Sequence, residues 1–119
     1  MLKIRQEQLD VLAQYVEEEF KQRLRAHLRV EHTLEVAAMN AEQLQQFVDR
    51  GVEKALSFKI TIKRDVADYV VMLLHHGMDF EQQPEYAPAL DILEDPDMAG
   101  EMKLQRLDTL FEQTRGQYG

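Results

Sequence analysis

The chain has no cysteine and no tryptophan among its 119 residues. Without cysteine there is no disulfide framework, no thiolate nucleophile and no thiolate metal site. Serine occurs once, at Ser57, and no GxSxG, Gly-rich phosphate loop, HExxH pair or DxDxDG calcium loop is present. No apolar stretch approaches the ~20 residues needed to cross a bilayer. The opening segment MLKIRQEQLD lacks an apolar core of signal-peptide length before its charges begin. The expected location is the cytoplasm, with no membrane partner.

Cations are missing from one long stretch. Between Arg64 and Lys103 there are ten Asp or Glu residues and not one Lys or Arg. The net charge of −8 is correspondingly uneven: residues 1–60 hold nine Lys/Arg against ten Asp/Glu, and residues 61–119 hold five against twelve. Such a balance opposes binding to a phosphate backbone, which needs cations to replace released counterions, so nucleic acid is not an expected ligand. Two readings of the acidic stretch stay open: a flank kept for solubility, or a surface for a basic partner.

At this length one domain with its own core is expected, and 45% hydrophobic with 30% charged residues argues against disorder. Leu9, Leu12, Val16, Phe20, Leu24 and Leu28 recur at three- and four-residue steps, predicting an amphipathic helix over residues 4–29. Pairs such as Glu17–Lys21 and Glu19–Arg23 support its exposed side. A bend or break is expected over residues 30–36, where the pattern becomes β-branched and irregular. Asn40 and Gln43 have the spacing of a reciprocal helix cap, opening a second helix with Leu44, Phe47, Val48, Val52 and Ala55 on one side. Gly51 lies on that stripe. A glycine there costs about 1 kcal/mol against alanine, so close approach by a neighbouring helix is expected.

A third helix begins near Thr61, with Asp65 in its first turn complementing the helix dipole. Val66, Tyr69, Val70, Leu73 and Leu74 give it the wide apolar face of a central helix. Gly77 is placed to be a left-handed cap. Residues 78–88 are irregular, punctuated by Pro84 and Pro88, with Phe80 and Tyr86 as anchors holding the loop to the body. A short helix over 89–94, ended by Asp95-Pro96, precedes a last helix over 99–114 with Leu104, Leu107, Leu110 and Phe111 inward. The tail RGQYG is expected to fray. No segment alternates long enough for a sheet, so the predicted fold is all-α: a single domain, residues 1–119, bundling about five helices.

Candidate chemistry is sparse. His75 and His76 are potential ligands or proton carriers, but adjacent helical positions point about 100° apart, unlike the i,i+4 spacing that chelates. Pairing with the helix end is the expected role. Asp79, Glu81, Glu85, Asp91, Glu94, Asp95 and Asp97 offer carboxylates for hydrolysis in principle, yet isolated loop carboxylates are usually solvated. Met72, Met78, Met98 and Met102 suit either an adaptable binding surface or ordinary core filling. No catalytic residue, metal or cofactor is therefore expected. The remaining candidate is a partner surface formed by Met78, Asp79, Phe80, Glu81, Glu85 and Tyr86, with Met78, Phe80 and Tyr86 as apolar anchors and no nearby cation to offset the acids.

Several short features lie along most of the chain. They are Ile4-Arg5 with Glu7-Gln8, the Gly51 helix, Ile62 with Arg64-Asp65-Val66, and Gly77 with Phe80. Leu93 with Asp95-Pro96, and Lys103 with Arg106-Leu107, complete the set. In these the chain resembles small helical proteins encoded in bacterial type VI secretion gene clusters, beside spike-tip PAAR proteins and their effectors. Its aromatic loop reads Glu85-Tyr86-Ala87 where a tryptophan near a proline is the family pattern. The resemblance implies an intracellular, non-enzymatic helper that binds a secreted effector or spike component, and supplies no catalytic residues. An immunity protein that neutralises a cytoplasmic toxin is the alternative, and an enzyme of unknown type a distant one.

Overall fold

In the computed structural model the backbone is described for residues 6–117 and the side chains for residues 18–114. The protein is all-α, and the described residues contain no strand. The helices are α1 (Gln6–Glu31), the single turn α2 (Thr33–Val36), α3 (Ala41–Ser57), α4 (Lys63–His76), α5 (Ala87–Glu94) and α6 (Gly100–Gln117). Two 3₁₀ turns, Phe80–Gln82 and Pro84–Tyr86, lie between α4 and α5. The chain divides into two compact units, Met1–Val48 and Asp49–Gly119, with the division inside α3.

In the first unit the amphipathic stripe of α1 is visible where side chains are described. Leu24 and Leu28 are buried and Phe20 is half-buried, while Leu9, Leu12, Val16 and Glu17 lie outside the described side chains. Glu19 accepts from Arg23 at 2.7 Å on the exposed side. The expected break falls at His32, whose φ of −128° and ψ of 45° leave the helical region. The orphan carbonyls it creates are satisfied locally. Thr33 Oγ1 donates to the Arg29 carbonyl at 2.8 Å, and the Arg29 guanidinium donates to the carbonyls of Val36 and Met39 at 3.2 and 3.1 Å. The cap that opens α3 is reciprocal, as its sequence predicts. The Gln43 N–H donates to Asn40 Oδ1 at 2.8 Å, and the Asn40 N–H donates to Gln43 Oε1 at 2.9 Å.

The second unit is built around α4. Val66, Tyr69, Val70, Met72 and Leu73 are all buried, while Leu74 is half-buried. A Cβ placed on Gly51 would meet Val70 Cγ2 at 3.0 Å and Leu73 Cδ1 at 3.4 Å, so the glycine does admit a close neighbour. The end of α3 was not apparent in the sequence. Lys59 adopts φ +62°, its N–H donates to the Leu56 carbonyl at 2.9 Å, and the Ile60 N–H donates to the Ala55 carbonyl at 2.9 Å. This is the paired bonding of a Schellman cap with lysine in the usual glycine position.

At the end of α4, Gly77 has positive φ as expected, but its ψ of 149° carries the chain away extended rather than in the left-handed helical conformation. Its N–H still closes the helix onto the Leu73 carbonyl at 2.8 Å. Both α4 and α5 pack on α6, whose Leu104, Leu107 and Phe111 are buried, while Leu110 is half-buried. Asp65 is 2% exposed. A Cβ on Gly100, the first residue of α6, would lie 3.3 Å from its Oδ2. The carboxylate therefore sits by the start of α6 as well as in the first turn of its own helix, where partial positive charge favours it. The RGQYG tail falls outside the described side chains, although α6 itself runs to Gln117.

Candidate partner-binding surface

The segment following α4 folds back because its aromatic residues are drawn to the end of α6. Phe80 is completely buried. Its ring packs edge-on against Phe111, with centroids 5.1 Å apart, and against Tyr86 at 6.0 Å. Tyr86, half-buried, meets Phe111 at 5.1 Å. His76 stacks face to face on Phe111 with centroids 3.6 Å apart. The expectation that Phe80 and Tyr86 tie the loop down is met. The expectation that Phe80 is also a contact for a partner is corrected, because its ring belongs to the core.

A second correction concerns charge. Lys54, near the end of α3, reaches across to the loop. Its Nζ lies 2.5 Å from Glu81 Oε1 and 3.5 Å from Asp79 Oδ1, and it donates to the Met78 carbonyl. The Glu81 side chain is 7% exposed and that of Asp79 59%. A cation therefore does offset the first two acids of the loop, brought from a helix that a linear reading leaves far away. Tyr69 lies behind this pair, fully buried, with its hydroxyl lacking a hydrogen-bond partner among the described residues. Burial chiefly, then the carboxylates of Glu81 and Asp79, push its phenol well above the ordinary value.

Past the loop the acids face outward. Glu85, Asp91, Glu94, Asp97 and Glu101 are exposed. Asp95 is half-buried and accepts the Asp97 N–H at 2.9 Å. Arg64 approaches Glu101 only to 3.9 Å. Lys103, which ends the cation-free stretch, is withdrawn from the exposed flank, being 2% exposed. Its Nζ donates to the carbonyls of Phe58, just past α3, and Leu93, in the last turn of α5, at 2.7 and 2.8 Å. That buried ammonium satisfies two helix C-termini at once. Burial lowers its pKa, opposed by Asp95 and assisted by Lys59.

Of the six residues expected to form the surface, Glu85 and Asp79 are exposed, and Met78 and Tyr86 are half-buried. Phe80 and most of Glu81 are buried. The structure adds a feature the sequence did not single out, a groove between α4 and α6 of about 280 Å³. Asp68, Val71, Met72, His75, His76, Leu104 and Asp108 line it. Asp68 and Asp108 stand forty positions apart, and no local pattern announces that their helices bring them to one cleft. No protein-family model, curated protein or solved structure matches the chain.

Proposed function

We propose that this protein is a non-enzymatic protein-binding module, an adaptor or chaperone for a type VI secretion effector or spike-tip component with a basic surface. The observation that carries the reading is the exposed anionic flank of Glu85, Asp91, Glu94 and Asp97, beside a half-buried Tyr86 and a Lys103 withdrawn into the interior. Carboxylates spread along an exposed flank are suited to steering a basic partner and fixing its register. The resemblance to helical proteins of secretion gene clusters supplies the class of partner. Met78 and Tyr86 remain the apolar contacts, whereas Phe80 and Glu81 hold the loop in place.

The same flank suits an immunity protein covering a basic toxin cleft, and one experiment separates the two roles. The full chain is used to capture type VI secretion effector and spike-tip proteins, and is co-expressed with the effector in a sensitive host. An adaptor retains the effector or spike protein and raises its solubility or secretion. An immunity protein restores growth. Failure to capture either protein and failure to rescue growth together would refute the proposal.

A further inference from the structure

We infer that the groove between α4 and α6 is a docking slot for a lysine or arginine side chain of a basic protein partner. The inference rests on the protein-binding role proposed above and names the contact that role would use. The groove has two unlike parts. Its floor is apolar: Met72 and Leu104 are buried and Val71 is half-buried. Its walls carry one exposed carboxylate from each helix, Asp68 on α4 and Asp108 on α6. A lysine or arginine has the same division, a methylene stem that buries along apolar surface and a cationic head that stays at its edge. The volume of about 280 Å³ lies below the ~300–1,000 Å³ typical of pockets that enclose drug-sized ligands. A single lysine or arginine side chain fits within it.

The charges support the same occupant. Among the described residues neither Asp68 nor Asp108 forms an ion pair with a lysine or arginine. The Asp108 carboxyl is held above its ordinary range by burial first, then by the negative charges of Glu112 and Asp68, with His76 acting in the opposite sense. Negative potential thus gathers at the groove, and among the described residues no lysine or arginine is paired with either carboxylate. A partner's cation would relieve it, which is the complementarity that selects one partner sign over the other.

The test uses the full chain with ¹³C-labelled methionine methyls. Met72 in the groove is the reporter, and Met102, 45% exposed on α6, is the control. The probes are a short amphipathic peptide of Leu, Lys and Ala and its counterpart with every Lys replaced by Gln. The Lys peptide is expected to shift the Met72 methyl saturably, and the Gln peptide is not. Asp68→Asn with Asp108→Asn should weaken the Lys peptide about tenfold. Both positions are exposed, so the variant keeps the fold, which its circular dichroism checks. Equal shifts at Met72 and Met102, or an Asn variant that binds like the parent, would overturn the inference. Saturable groove binding without capture of any effector or spike protein would sustain the slot and sink the adaptor role. Capture unaffected by the two Asn substitutions would do the reverse.

Discussion

Lys54 and Tyr69 show how single side chains set the chemistry of the loop behind α4. Lys54 neutralises Glu81 in a site where removal of one partner would strand a largely buried charge, the costly way to break such a pair. Serine at Asp79 or Glu81 would therefore disturb the loop itself, and tests of partner binding belong on Glu85, Asp91 and Glu94. Tyr69 makes the opposite point. Its hydroxyl is buried without a hydrogen-bond partner among the described residues, so removing it relieves a desolvation cost. Tyr69→Phe is expected to stabilise the protein by about 1 kcal/mol, read as a higher melting temperature at neutral pH. The pH dependence has a definite sign. Because the folded phenol holds its proton above the ordinary value of 10.0, the folded state loses stability as pH rises beyond that value. Tyr69→Phe should reduce the alkaline loss. A variant less stable than the parent at neutral pH would show that the hydroxyl has a partner that matters.

Among the elements, α3 shows both what the sequence reveals and what it hides. Its start was legible because Asn40 and Gln43 form a local motif with a local mechanism, and both hydrogen bonds form. Gly51 was legible for a similar reason: a glycine on an apolar stripe implies a close neighbour, and Val70 is that neighbour. The end of α3 was not legible, because the sequence has lysine where a Schellman cap usually has glycine. Lys59→Gly should stabilise the protein by about 1 kcal/mol, since glycine adopts positive φ without the penalty of a Cβ. Chemical denaturation of the two proteins measures this, and a loss of stability would show that the Lys59 side chain contributes more than its backbone strain costs. The same limit explains the charged residues. Lys54 lies twenty-four positions before Met78, whose carbonyl it meets, and Lys103 forty-five after Phe58. Long-range polar contacts of this kind leave no period in a sequence. Phe80 was read correctly as an anchor but also as a contact, because an aromatic residue in a loop has the same appearance in either role.

Across the whole molecule, the feature that bears on function is the distribution of charge. The net charge of −8 is trimmed at the start of the loop by Lys54, and farther along exposed carboxylates line the chain while Lys103 is withdrawn from the surface. No described helix is long and apolar enough to cross a membrane. The all-α class was legible because hydrophobic periodicity is the strongest local signal. The groove between α4 and α6 was not, because it depends on how two distant helices pack. The central claim is that the exposed acids recruit a basic protein, and association kinetics test it most directly. The full chain and its Glu85→Ser, Asp91→Ser, Glu94→Ser triple variant would be measured against the captured effector or spike protein at low and physiological salt. The account predicts that the variant associates several-fold more slowly at low salt and shows a flatter salt dependence, with an unchanged circular dichroism spectrum. A variant that associates at the parent rate, with the same salt dependence, would contradict it and leave the flank as solvated surface.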